Sequence, residues 1–411
     1  MTALSLNTDL DPDHYIALHQ AVDETATERL LDAREIQVRD RVRELVATEI
    51  APHAALLDHT HAFAHDSYQA LARAGLAGLL FPEKWGGTGD SHVSYAAAME
   101  EISAGCAATS LVYMTQMHAA FPIWKAGSEN LADTYIPRLL DGMAYGSLGV
   151  TEPDAGSDVS SLRTRARPML EGGVTVAYEI SGSKTFITTG DRAGVVITFA
   201  TTDPALGRRG VTAFLVDGDS EGLAHGEPLE KVGMHGSSTA ELFFSGVRVP
   251  AEHKLGDEGA GWQLVMASVG KSRLSAAAQG VGIARSAYTR ALIALRQLYG
   301  SRLPDVVSFT LAELRGEILQ GRLLLLASAR ELDHGDITTG QIGILKQRCT
   351  DLGWHVSERA ARLLGPYGDL VDLGIERCLR DAKVTQIYDG TNEVQRLLIG
   401  RDVRHLLEDL E

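Results

Sequence analysis

The chain has 411 residues, 45% of them hydrophobic and 22% charged, an ordinary globular composition with room for more than one cored unit. Its net charge of -16 argues against nucleic acid or an anionic membrane surface as the main partner, while leaving a local phosphate site open. No run approaches 18 apolar residues, and Asp9, Asp11, Asp13, Asp23 and Glu24 read against a secretory signal peptide.

Residues 1–27 read as an extension or loose arm. From 28 to 147 the apolar spacing is helical, as in Val42-Leu45-Val46-Ile50 and Leu71-Ala74-Leu76-Leu79, with a loop at residues 81–89. From 148 to 255 short β-rich runs replace it, at 174–178, 194–199, 211–216 and 241–244, spaced for a small antiparallel barrel or sandwich. From 256 to 411 long helices return, expected at 272–299, 311–332, 340–364 and 392–408. Helices, strands, then helices predict an α+β chain with the sheet between two helical layers. No Gly-x-Gly-x-x-Gly follows a strand, so a doubly wound dinucleotide fold is not expected. Cys106, Cys349 and Cys378 are scattered and lack metal-ligand spacing, which predicts free thiols in a reducing cytosol and no metal site.

Three segments carry the chemistry. Residues 148–158 (Leu148-Gly149-Val150-Thr151-Glu152-Pro153-Asp154-Ala155-Gly156-Ser157-Asp158) form a loop rich in turn formers, or one whose backbone and hydroxyls approach a flat polar ring. Residues 182–190 read as a half-buried strand, or as one that stacks Phe186 on a heterocycle and bonds its edge through Thr188. Residues 386–396 place Tyr388-Asp389-Gly390-Thr391 before an amphipathic helix. Asp389 and Thr391 either cap that helix or use its N-terminus as a seat for an anion.

In this order and spacing the three segments resemble the acyl-CoA dehydrogenase family. Further matches are Lys231-Val232-Gly233-Met234-His235-Gly236-Ser237-Ser238-Thr239, Arg296-Gln297-Leu298-Tyr299-Gly300, Leu364-Gly365-Pro366-Tyr367-Gly368 and Arg380-Asp381-Ala382-Lys383. The resemblance implies an N-terminal helical domain, a middle β-barrel and a C-terminal four-helix bundle, with noncovalent FAD between the last two. It implies that Leu148, Val150, Thr151, Gly156 and Ser157 line the flavin and the adjacent thioester, with Phe186 and Thr188 on the isoalloxazine. Arg296, Leu298, Tyr299, Arg362, Gly365 and Pro366 would reach the FAD of a neighbouring subunit in a homo-oligomer, commonly a tetramer. Thr391 and Glu393 would serve the pyrophosphate.

The implied reaction is desaturation of an acyl thioester at Cα–Cβ, with an electron-transfer flavoprotein as electron acceptor. Asp389 falls where most relatives have a glutamate base, and Ser272, at the alternative base position, cannot take a proton from carbon. Arg273, Tyr388, Gly390 and Ser157 would contact the substrate, and acyl-pocket depth would depend on helices near 94–102 and 110–127. Asp389 also resembles the aspartate base of nitroalkane oxidases in the same superfamily, and a flavin-less binding relative is a third reading. Ser238 and His235 depart from the usual Asp and Arg or Trp, which leaves both free coenzyme A and the phosphopantetheine arm of a carrier protein open as the thioester carrier.

Overall fold

In the computed structural model, residues 6–22, 25–335 and 337–408 are described. Eight helices precede the sheet: α1 (Pro12–Val22), α2 (Thr25–Glu28), α3 (Ala33–Leu45), α4 (Ala54–Thr60), α5 (His65–Arg73), α6 (His92–Gly105), α7 (Ala107–Ala126) and α8 (Glu129–Leu140). Their starts are written locally. Asp32 and Glu35 form a capping box on α3, and Ser91 and Ser128 accept from the backbone of α6 and α8. Helices α6 and α7 are buried around almost their whole circumference, so they form the inner wall of the helical layer.

The expected loose arm is packed in its described residues. Leu6 and Tyr15 are buried, Thr8 donates to the Leu373 carbonyl at 2.9 Å, and the Asn7 amide donates to Gln297 at 3.1 Å. Apolar side chains at 6, 10, 15 and 16 give the segment a face to bury. Asp23 and Glu24 lie outside the described residues.

The middle block is one eight-stranded sheet: β1 (Tyr145–Gly149), β2 (Arg165–Glu171), β3 (Val174–Thr188), β4 (Ala193–Thr201), β5 (Val211–Asp217), β6 (Leu223–His225), β7 (Thr239–Pro250) and β8 (Lys254–Leu255). The order is β6-β7-β3-β2-β4-β5-β8, with β1 on β4. It is not wholly antiparallel. β1 runs parallel to β4, setting Leu148 opposite Ile197, and Arg165 of β2 pairs in parallel with Thr201. A parallel neighbour needs a crossing connection, and residues 150–192, which carry β2 and β3, supply it between β1 and β4.

Five helices follow: α9 (Gly261–Tyr299), α10 (Asp305–His334), α11 (Thr339–Leu363), α12 (Ile375–Thr385) and α13 (Asn392–Glu408). Helix α9 begins 11 residues before the expected 272, because its first turn is docked on the sheet. A Cβ at Gly261 would lie 2.8 Å from the Thr212 carbonyl carbon. Helices α9 and α11 run parallel and touch backbone to backbone, since a Cβ at Gly280 would meet the Cys349 carbonyl oxygen at 2.1 Å. Helix α12, not expected from sequence, packs against both.

A buried ion cluster joins the two helical layers. Arg285 of α9 pairs with Glu100 at 2.5 Å and Glu101 at 3.0 Å, Arg43 of α3 with Glu101 at 2.7 Å, and Arg322 of α10 with Glu100 at 3.0 Å. Burial alone would neutralise Glu101, but Arg285 and Arg43 outweigh it and hold the carboxyl well below the usual range. All three cysteines are buried free thiols.

Candidate active site

One group of candidate residues is built on the sheet. The 150–158 loop leaves the end of β1 and is pinned against β3, where the Thr185 amide donates to the Thr151 carbonyl at 2.9 Å. Lys184 reaches back from β3, donating to the Val150 carbonyl at 3.2 Å and pairing with Glu152 at 2.7 Å. Burial pulls its ammonium down to about 8, against the pull of Glu152. Glu152 in turn accepts from the amides of Arg163 and Thr164, so the loop is closed at both ends. Leu148, Val150 and Thr151 are half-buried, while Gly156 and Ser157 are exposed.

Strand β3 does not keep the simple alternation expected of it. Its pairing with β7 slips between Lys184 and Ile187, which buries Lys184 and Thr185 in succession and expels Phe186. Phe186 has φ 57° and is 68% exposed. A left-handed backbone costs a non-glycine residue about 1–3 kcal/mol, and an exposed aromatic ring returns none of it within this chain. Thr188 is half-buried, and its carbonyl accepts from Ser147 at 2.9 Å.

A second group of candidate residues lies between α12 and α13. Asn392, at the start of α13, is buried and bonded to Lys346 of α11 at 2.9 Å and to Asp351 at 2.7 Å, which fixes the turn that precedes it. Asp389 (φ 55°) and Gly390 (φ 86°) are both left-handed. The Asp389 carbonyl accepts from Arg273 Nε at 3.3 Å, and the Gly390 carbonyl accepts from Gln395 at 2.8 Å. Tyr388 donates its hydroxyl to Gln279 of α9.

Thr391, not Asp389, caps the helix, accepting from the Val394 amide at 3.3 Å. Asp389 Oδ2 is buried and has no hydrogen-bond partner. The charge of Asp389 reaches several buried groups. Burial lowers the Arg273, Lys346 and His118 pKa values, Lys346 to about 8, while Asp389 opposes each shift. Burial raises Tyr388 well above its ordinary range, and Asp389 adds to the rise.

The remaining expected residues stand elsewhere. Arg296, Leu298 and Tyr299 end α9, about 35 Å along the helix from Arg273 by the helical rise. Arg362 is in the last turn of α11 and Gly365 and Pro366 follow it, which the parallel course of α9 and α11 carries toward the same end of the bundle. Glu393 is exposed and paired with Arg396 at 3.2 Å. Lys184, Glu152, Lys346, Gln279 and His118 were not singled out in the sequence. For His118, Gln279 and Lys346 the signal was a polar group beside small or apolar residues, while Glu152 and Lys184 sit among polar and turn-forming neighbours that give none.

These arrangements agree with known proteins over nearly the whole chain. The N-terminal, middle and C-terminal domain families of acyl-CoA dehydrogenase match residues 32–143, 147–247 and 259–404. An acyl-CoA dehydrogenase of Bacillus subtilis is 37% identical over 89% of this chain and 97% of its own. The solved butyryl-CoA dehydrogenase of Megasphaera elsdenii superposes with a TM-score of 0.85 at 32% identity, over 91% of this chain and 98% of its own. The prolyl acyl carrier protein oxidase AnaB superposes with a TM-score of 0.83 at 26% identity, over 91% and 98%. With all three domains matched in order along the chain, it belongs to the acyl-CoA dehydrogenase family.

Proposed function

We propose that this protein desaturates an acyl thioester between Cα and Cβ, with Asp389 as the base. Membership of the family makes it an FAD-dependent oxidoreductase. The residues fit that cofactor. Phe186 offers an uncovered aromatic face, Thr151, Ser157 and Thr188 offer hydroxyls, and a Cβ at Gly156 would touch only Thr151 at 3.9 Å. Leu148 and Val150 would line the ring, and Thr391 and Glu393 at the α13 start would face the pyrophosphate.

FAD, when bound, supplies an acceptor for the hydride leaving Cβ. Asp389 holds the α-proton on Oδ2, the buried oxygen without a partner, which is the observation that carries this reading. Arg273 and Gln395 grip the backbone of the turn, so the carboxylate keeps its aim although it is one methylene shorter than glutamate. Tyr388 and Gly390 shape the wall, and the seating of Tyr388 on Gln279 excludes water from that side.

The carrier is coenzyme A or a carrier protein, and the solved relatives include one of each naming. An electron-transfer flavoprotein fits as acceptor. No helix of the described residues is long and apolar enough to cross a membrane, and three buried free thiols accord with the cytoplasm. A homotetramer is supported by the Arg296–Arg362 end of the bundle, remote from Asp389, and by exposed Val306, Phe309, Val371 and Leu397 on the C-terminal layer.

The test is anaerobic reduction of the FAD-loaded protein with acyl thioesters and with nitroalkanes, followed by oxygen. Bleaching by a thioester with slow reoxidation supports the reading. Bleaching only by nitroalkanes, with rapid peroxide release, would replace it with a nitroalkane oxidase.

A further inference from the structure

Helix α7 carries one imidazole in a mostly apolar run, Met114-Thr115-Gln116-Met117-His118-Ala119-Ala120-Phe121. His118 is only 8% exposed, and its Nε2 is buried with no hydrogen-bond partner. Leaving such a nitrogen unsatisfied costs about 1–3 kcal/mol, which a leucine there would avoid. Helix α7 lies along α9 here, with Ser110 bonded to Gln279 at 2.8 Å and Phe121 under Lys271 at 5.6 Å, so His118 stands on the wall opposite the stretch of α9 whose Arg273 holds the Asp389 carbonyl, and the Asp389 charge reaches it.

Four polar side chains of that interior, Tyr95, Ser275, Gln279 and Ser110, already have partners. Tyr95, which also feels Asp389, pairs its hydroxyl with Ser275 at 2.9 Å. Gln279 spends its amide nitrogen on Ser110 at 2.8 Å and its oxygen on Tyr388. None of these bonds goes to His118. Burial lowers the imidazole pKa, so a neutral ring offers a donor or an acceptor at Nε2 according to tautomer.

Resting on the thioester reading above, the structure assigns His118 as a specificity-determining residue that bonds a neutral polar group on the acyl chain, within a few bonds of the reacting carbons. The substrate class is an acyl thioester bearing a hydroxyl or amide function, and a plain alkyl chain is the disfavoured alternative. A site built to bond a polar group rejects the analogue lacking it, because the site's own polar atom is then left bare.

The experiment uses FAD-loaded protein and two pantetheine thioesters of equal shape, 4-methylpentanoyl and the isostere in which the terminal isopropyl is a carboxamide. The matching unreactive thioethers are titrated by calorimetry. Wild type is expected to favour the amide over the alkyl compound by about tenfold or more, in flavin reduction and in thioether binding. His118→Leu is expected to invert that ranking with FAD content retained, and His118→Gln to keep it. If His118→Leu does not accumulate, His118→Met takes its place.

An alkyl preference in wild type, or a ratio unchanged in His118→Leu, overturns the assignment and leaves Nε2 to a trapped water. So does failure of both thioethers to bind. If the amide thioether still prefers wild type but no thioester reduces the flavin, thioester oxidation fails while the assignment of His118 stands.

Discussion

Two buried polar regions of this protein are built on opposite terms. In the cluster of Arg43, Glu100, Glu101, Arg285 and Arg322, each charge meets an opposite charge at 2.5–3.0 Å. Around Asp389 the charges stand apart, and Asp389 Oδ2, His118 Nε2 and Gln395 Oε1 are buried without a hydrogen bond. The first arrangement locks helices α3, α6, α9 and α10 together. The second tolerates unmet polar atoms, which folding alone would select against and a bound ligand can satisfy.

That contrast can be broken from either side. Asp389→Asn is expected to slow flavin reduction by thioester about a hundredfold to ten-thousandfold, the usual range for losing a general base. Its FAD content should hold, because Oδ2 has no hydrogen bond to lose, while the thermal midpoint should fall slightly as buried Arg273 and Lys346 lose a favourable charge. Retention of near wild-type reduction would show that Asp389 is not the base.

Arg285→Met should do the reverse. It leaves Glu100 with Arg322 and Glu101 with Arg43 but removes the arginine they share, an expected loss toward the lower end of about 3–5 kcal/mol, read as a fall in thermal midpoint. An unchanged midpoint would mean that the cluster does not hold the layers.

Phe186→Gly separates the two terms at one residue. Relief of the left-handed backbone should stabilise the FAD-free protein by about 1 kcal/mol. Loss of the ring should weaken FAD binding by about tenfold, the worth of one aromatic contact. Equal FAD affinity in both proteins would remove Phe186 from the flavin site.

The smallest effect concerns pH. The buried Lys346 titrates at about 8 in the fold against an ordinary 10.5, so between those values the unfolded chain binds more protons. Stability from this group therefore rises with pH across that window, and its penalty is fully present below pH 8. Lys346→Met should flatten the rise in thermal midpoint from pH 8 to 10, and an identical slope would refute the assignment.

Much of the helical architecture was legible because apolar spacing at 3.6 residues and strong caps are local. Helix α13 was placed at 392–408, the range observed. Strands β4 and β5 were close for the same reason. Helix α12 and the first turns of α9 were not found, since packing against other elements rather than their own pattern selects them. The parallel course of β1 on β4 was likewise invisible, because strand direction follows from the path of the connecting chain.

Of the proposed site, the sequence by itself determined the candidates: Thr151, Phe186, Asp389 and Thr391 in their segments. Only the tertiary structure decided their roles in relation to each other. The slipped register of β3 turns Phe186 outward, Thr391 takes the cap and so frees Asp389, and the packing of α7 along α9 brings His118 within reach of its charge. Each depends on residues tens to hundreds of positions apart, and no local pattern encodes which polar atom is left without a partner.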